Sequence, residues 1–321
     1  MDPKIILEIS GHCNAKCPWC YTGRRNRLGM RIPSRFMPPE EFNNVLSRLD
    51  AIGLLERRDN LIELFNWGEP LLHPRFSEIV SILNVRGLDY RLSTNGSRIP
   101  ELNGQSAAHL RELIISLPGF SPYAYARGSG FRFPEILERI DALVDRFKES
   151  GFQGRTILSY HIYQFNIQDI PAAAEYAAGE GFSFNPYLAT PMDFQVALGF
   201  LKRTLPSSVL DQMSRDLMLY SVETLIAKQT PEYSCFQQNK MVIDENGSVL
   251  TCCIVPKGHP DYSLGSIFEL GLEEIKTRKK GRGICKECLD QGLSYWFMHP
   301  SKPAFLSNLL PGQARGPAQK G

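Results

Sequence analysis

Cys13-Asn14-Ala15-Lys16-Cys17-Pro18-Trp19-Cys20 places three thiols within eight residues. Residues 5–10 before it, Ile-Ile-Leu-Glu-Ile-Ser, read as a strand, so the thiols fall on a loop at that strand's C-terminal end. Such a loop can wrap its sulfurs around one metal centre, and soft thiolates favour zinc or an iron–sulfur cluster. Three protein ligands leave one position of a four-position centre open, which a catalytic metal needs and a structural one lacks. A zinc knuckle using His12 as fourth ligand is the competing arrangement, but His12 adjoins Cys13 directly, an awkward spacing for sharing one ion.

On either side of the remaining sequence, short apolar runs alternate with helix-length amphipathic segments. Strands are expected at 5–10, 61–65, 90–93, 113–117, 156–161 and 182–188, and helices at 39–52, 74–86, 101–110, 133–149 and 170–180. Pro39 and Pro74 sit where a helix's first turn accepts proline. This alternation implies a parallel sheet with function at the C-terminal ends of its strands. Six β/α units fall short of a closed eight-fold barrel, so the expected fold is α/β, a partial (β/α)6 barrel over residues 1–190. A helical linker should occupy 191–230, with one long helix near 207–228. Strand-like runs at 240–244 and 248–251 then flank Glu245-Asn246-Gly247, a hairpin signal. A short helix is expected at 269–280, within a small domain at 231–300, and a disordered tail at 301–321.

The chain has 321 residues, 43% of them hydrophobic, with 36 Lys and Arg against 34 Asp and Glu. A formal charge of +2 gives no footprint for nucleic acid or an anionic membrane. No apolar run approaches the roughly 18 residues of a membrane span, and polar residues by Lys4 and Glu8 leave no visible signal peptide. The expected location is therefore cytoplasmic, and eight cysteines in such a chain point to metal before disulfides.

The C-x3-C-x2-C spacing after the first strand of a β/α array resembles the hallmark of the radical S-adenosylmethionine (SAM) enzymes. Further segments in order carry the same resemblance. Trp67-Gly68-Glu69-Pro70 is similar to the family's G-G-E-P segment, which holds the SAM amino group, with Trp67 in place of the first glycine. Ser93-Thr94-Asn95-Gly96 resembles the S-T-N-G at the end of the third strand. Ser116 and Arg127 resemble the pair that grips the SAM carboxylate, and Tyr21 the aromatic neighbour of adenine. The roles are chemically apt: Glu69 can accept from an ammonium, and a guanidinium such as Arg127 can donate to a carboxylate. The resemblance implies SAM, a [4Fe–4S] cluster on Cys13, Cys17 and Cys20, and an external reductant such as flavodoxin or ferredoxin.

A second group comprises Cys235, Cys252, Cys253, Cys285 and Cys288. Its opening resembles the SPASM domain, the C-terminal auxiliary-cluster module of many radical SAM enzymes. The full module carries seven cysteines, and here the second half is only Cys285-Lys286-Glu287-Cys288, as in the shortened form called a twitch domain. The resemblance implies a second [4Fe–4S] cluster on Cys235, Cys252, Cys285 and Cys288; a zinc-ribbon site is the alternative for the same spacing. Cys253 is left over. It is a buried small hydrophobe, a substitute ligand for Cys252, or a thiol that hands hydrogen to a substrate radical, as in radical epimerases of this family.

What the resemblance implies is hydrogen abstraction from an unactivated C–H bond, followed by oxidation if the second cluster accepts an electron, or by inversion if Cys253 donates hydrogen. The first strand begins by Ile5, which leaves no room for a leader-binding domain, so a small polar sugar-like substrate is expected: an aminoglycoside, aminocyclitol or nucleoside. Tyr160, His161, Asn185, Tyr187 and Asp193 are candidates to line its pocket, with His161 able to move protons. The alternatives are a peptide maturase with a separate leader-binding partner and a non-enzymatic zinc or redox-sensing protein.

Overall fold

The computed structural model describes residues 4–55, 61–219 and 235–298. In chain order the first elements are β1 (Ile5–Leu7), α1 (Tyr21–Arg27), α2 (Pro39–Ala51), β2 (Ile62–Glu63), α3 (Phe76–Arg86), β3 (Tyr90–Thr94) and β4 (Leu110–Leu117). There follow α4 (Pro122–Ser129), α5 (Phe133–Glu149), β5 (Arg155–Ile162), α6 (Ile170–Gly179), β6 (Ser183–Leu188), α7 (Phe194–Leu201) and α8 (Ser207–Asp216). The last are β7 (Met241–Ile243), β8 (Ser248–Leu250), β9 (Ser263–Ser266), α9 (Leu272–Lys280), α10 (Gly283–Asp290) and α11 (Leu293–Met298).

Strands β1 to β6 pair in parallel, each with its sequence neighbours. The full order is β6-β5-β4-β3-β2-β1-β7-β8-β9, an open sheet with two ends. The fold is thus the α/β partial barrel expected. β7 joins β1 in parallel, and β8 and β9 continue antiparallel, so the C-terminal region extends the same sheet. The β7–β8 hairpin closes where expected: the Gly247 N–H donates to the Asp244 carbonyl at 3.0 Å, with Gly247 at φ 76°.

Helices α2, α3, α5, α6 and α9 pack against one face of this sheet. α5 buries Ile136, Ile140, Leu143, Val144 and Phe147, a stripe at helical spacing, against the same core that holds Leu113, Ile115 and Leu117 of β4. α2 carries Pro39 in its first turn with Glu40 and Glu41, and buries Phe42, Val45, Leu46 and Leu49.

Three expectations change. Residues 101–110 form no helix: 104–109 are turns, Gly104 sits at φ 51°, and Leu110 already pairs with Tyr90 at the start of β4. The apolar spacing of Leu102, Ala107 and Leu110 mimics a helical stripe, but strand pairing claims its last member. The helix begun at Ser207 ends at Asp216, where Leu217 turns extended (ψ 148°); residues 220–228 and the tail from 301 lie outside the described residues. α1, α4, α10 and α11 were not foreseen, each being six to eight residues and shorter than a periodicity window.

The third change concerns Tyr160. Register aligns Ser116 with Ser159 and Asn185, and His161 with Tyr187, whereas Leu117 aligns with Tyr160 and Pro186. Strand alternation therefore puts Tyr160 on the helix-packed face, in the core, with its hydroxyl donating to the Asn166 carbonyl at 2.7 Å. It lines no pocket. Tyr160→Phe is expected to cost about 1 kcal/mol in a denaturant melt, the usual net worth of one hydrogen bond, and to leave SAM turnover unchanged. Among the described residues no helix is long and apolar enough to cross a membrane.

Candidate active site

The cysteine loop leaves β1 and runs into α1, whose N-cap is Cys20. Asn26 ties it down, its Nδ2 donating to the carbonyls of Cys13 (2.8 Å) and Ala15 (2.9 Å), and Arg27 Nε donates to that of Lys16 (3.0 Å). All three thiols are free and partly covered. Burial pushes Cys17 up to about 12, with Cys20 adding to the rise, and lifts Cys13 and Cys20 in the same direction. Thiolates so placed need metal cations opposite them, which fits a thiolate-bound iron cluster. His12 does not join them: Nδ1 lies 3.1 Å from Ser34 Oγ, and the ring packs on Phe36 at 4.6 Å.

Trp67-Gly68-Glu69-Pro70 lies beside this loop, after β2. The Glu69 N–H donates to the His12 carbonyl at 2.7 Å. A Cβ on Gly68 would stand 1.7 Å from the Ser10 carbonyl oxygen, so only glycine lets the two backbones approach. The Glu69 carboxylate is buried and held by three donors: the Thr94 hydroxyl (2.7 Å), the Asn95 N–H (2.7 Å) and the Leu71 N–H (3.1 Å). Burial nonetheless raises it to about 7. Asn95 Nδ2 donates to Asn14 Oδ1 at 3.0 Å and approaches Cys13 Sγ at 3.9 Å, while Ser93 Oγ and Ser116 Oγ are 3.4 Å apart. The ends of β1, β2, β3 and β4 thus assemble one continuous site.

Arg127 and Tyr21 both have protein partners. Arg127 is engaged by Asp216 Oδ1 (2.5 Å) and the Tyr123 hydroxyl (2.6 Å), with Phe165 4.7 Å beneath its guanidinium, and Asp216 also takes the Trp19 indole N–H at 3.1 Å. The structure does not bring it to Ser116. Tyr21 is buried, packed against Trp67 at 5.4 Å, with Arg25 3.7 Å over its ring. Asp193 caps α7 and pairs with Arg25 at 3.0 Å.

Sequence reasoning missed Glu8. One of its oxygens accepts from both the Trp67 and Gly68 N–H groups, at 2.7 and 2.6 Å, and so sets the course of that segment. Nearby Lys257 donates to the Gly11 carbonyl (2.7 Å) and to Glu245 (2.9 Å), and Trp67 Nε1 donates to the Val255 carbonyl (2.9 Å). The C-terminal region therefore pins both the cysteine loop and the Trp67–Pro70 segment. Burial raises Glu8 from 4.5 to about 8, opposed by Lys257 and supported by Glu245. The folded chain then holds this proton more firmly than the unfolded one, so its contribution to stability is complete below pH 4.5 and is lost as pH rises to about 8. Glu8→Gln keeps the accepting oxygen and is expected to flatten the fall in melting temperature across that interval. A wild-type pH profile in the variant would refute this.

The second cysteine group converges. Cys235, Cys252, Cys285 and Cys288 line one cavity, walled by Phe194, Ile254 and Val255. Cys285 and Cys288 share one face of α10, three residues apart. Cys253 does not line the cavity; its thiol donates to Gln237 Oε1 at 3.4 Å. Its hydrogen bond to Cys252 lowers that thiol to about 7 and raises Cys253. Four thiols around one cavity suit a [4Fe–4S] cluster.

The sequence profile of the Radical SAM superfamily matches residues 7–177, more than half of the chain. The chain belongs to the radical SAM superfamily. A second profile, the SPASM iron–sulfur cluster-binding domain, matches residues 235–289. The cofactors of this radical SAM chain are accordingly SAM and [4Fe–4S] clusters, one of them auxiliary. Curated relatives include a probable GTP 3′,8-cyclase of Thermococcus kodakarensis, 27% identical over 143 residues, 44% of this chain and 43% of the relative. Another is a tungsten-containing aldehyde ferredoxin oxidoreductase cofactor-modifying protein of Pyrococcus furiosus, 27% identical over 117 residues, 36% of this chain and 30% of the relative. The matched stretches thus span less than half of either protein. Among solved structures, Streptococcus suis SuiB bound to precursor peptide SuiA superposes with TM-score 0.59 at 16% identity, over 92% of this chain and 70% of that one. Native anSMEcpe with bound AdoMet gives TM-score 0.56 at 16% identity, over 89% and 86%. At that identity they share the fold.

On the sheet face away from the helices, Ser116, Ser159, His161, Asn185 and Tyr187 form a polar wall near the strand ends. The His161 and Tyr187 rings are 4.9 Å apart. Burial lowers His161 to about 4, so it is a neutral imidazole near pH 7, and it pushes Tyr187 up to about 12. Ser159 was missed, although strand alternation from His161 points to it.

Proposed function

We propose that this radical SAM enzyme removes hydrogen from a carbinol C–H of a small, polar, sugar-like substrate, an aminoglycoside, aminocyclitol or nucleoside, leading to epimerisation or dehydrogenation in antibiotic biosynthesis. The polar wall of β4, β5 and β6 carries this reading: hydroxyls, a carboxamide and a neutral imidazole suit a ligand rich in hydroxyl groups. When bound, the first cluster and SAM supply the family's radical hydrogen abstraction. This chain's residues would do the rest. Cys13, Cys17 and Cys20 hold the first cluster, and Cys235, Cys252, Cys285 and Cys288 the second. Glu69, with the Gly68 backbone, receives the ammonium of SAM, and Ser93, Asn95 and Ser116 orient its amino-acid end. Arg127 would reach the SAM carboxylate only by leaving Asp216, and Tyr21 would flank adenine. His161 would hydrogen-bond the reacting hydroxyl as a neutral group. Flavodoxin or ferredoxin would deliver electrons, and eight free thiols suit the cytoplasm.

The test is 5′-deoxyadenosine formation by the reconstituted, reduced enzyme with SAM and a panel of aminocyclitols, aminoglycosides, nucleosides and linear peptides. Stimulation by members of the sugar set supports the proposal, and a response to peptides alone overturns it. Epimerisation further requires solvent deuterium in the product, with Cys253→Ala blocking product while 5′-deoxyadenosine still forms. A fully active Cys253→Ala removes the hydrogen-donor role.

A further inference from the structure

Lys279, in the last turn of α9, is only 4% exposed. Its ammonium is caged by three backbone carbonyls, of Gln237 (3.2 Å), Gln238 (3.4 Å) and Lys240. Those carbonyls satisfy its three donors but carry no charge, and no carboxylate lies within ion-pair distance among the described residues. A buried cation without a counter-charge is costly, so proteins pair such groups. Gln237 and Gln238 belong to the segment that follows Cys235 and line the four-cysteine cavity, which puts the ammonium just behind that cavity's wall. Cys235, Cys252, Cys253 and Cys285 all fall within electrostatic reach of Lys279.

Four thiolates around a [4Fe–4S] core leave a net anion, and that anion is the partner the buried ammonium otherwise lacks. We propose that Lys279 is the internal counter-cation of the auxiliary centre and raises its reduction potential, biasing it toward accepting an electron. Reduction adds negative charge, which a fixed cation in a low-dielectric setting stabilises more than the oxidised form. Lys240 and Arg282 also reach these thiols electrostatically, but both are partly open to solvent, where their fields are screened.

The inference rests on the auxiliary cluster itself, and the experiment separates the two. Lys279→Gln and Lys279→Arg are made in a full-length chain carrying Cys13→Ala, Cys17→Ala and Cys20→Ala, so that only the auxiliary centre is loaded. Iron content and an EPR-monitored redox titration are measured. The parent and Lys279→Gln should each hold about four iron. At the potential where the parent is half reduced, Lys279→Gln should show a roughly tenfold lower reduced-to-oxidised ratio, 59 mV for one electron. Lys279→Arg should stay near the parent. Iron retained only when position 279 is charged also supports the role. An unchanged midpoint in Lys279→Gln, or equal displacement or equal iron loss in both variants, reduces Lys279 to a tie between α9 and the Gln237–Lys240 segment and overturns it. A parent holding no iron overturns the auxiliary-cluster reading as well.

Discussion

Gly68→Ala is expected to lower SAM cleavage on the order of a hundredfold while leaving the auxiliary cluster loaded. The added Cβ would meet the Ser10 carbonyl oxygen at 1.7 Å and that residue's carbonyl carbon at 2.7 Å, and both are backbone atoms that no rotamer change can clear. Relief requires Trp67–Pro70 to back away from the chain leading into Cys13. That motion breaks the hydrogen bond between the Glu69 N–H and the His12 carbonyl and pulls Gly68 from Glu8. A displacement near 1 Å is what positioning-dependent catalysis tolerates least. The checks are 5′-deoxyadenosine production, iron content and the response of the reduced-cluster EPR signal to SAM. Near wild-type cleavage would show that the approach of these two backbones does not matter.

Cys252→Ala and Cys253→Ala should part company. Removing Cys252 takes one of four thiols from the cavity, and iron should fall from about eight to about four per chain, with a lower melting temperature because cluster binding contributes to folding. Removing Cys253 deletes only a hydrogen bond to Cys252 and one to Gln237, so iron should stay near eight. Cys253 opens the turn that follows β8 and bonds Gln237, while Cys252 lines the cavity. Equal iron loss in both variants would mean that the ligand set is wrongly drawn.

The parts of this molecule legible in its sequence are those encoded by short spacing. The cysteines at 13, 17 and 20 sit on one loop, the hairpin at 244–247 announces itself by Asn-Gly, and the stripe of α5 repeats at helical period. What stayed hidden depends on partners far along the chain. Arg127 meets Asp216, 89 positions away, and nothing local to either residue signals the other. Glu8 reads as a polar interruption in an apolar strand until Trp67 and Gly68, some sixty positions on, supply its donors. Tyr160 and His161 look alike as polar strand-end residues, and only register tells which faces the core. Trp67, a departure from the family's glycine, becomes intelligible once its indole is seen bonded to Val255 across the boundary with the C-terminal region.

The seating of β7 against β1 bears on how the two iron-bearing regions depend on each other. β1 has β2 on one flank and β7 on the other, with Ile5, Ile6 and Leu7 registered to Met241, Val242 and Ile243. A polypeptide stopped before β7 would leave the backbone groups of an apolar strand unpaired at a bare rim, an invitation to stack with its own kind. The auxiliary module thus acts as a selvedge, closing the margin of the fabric that carries the SAM site.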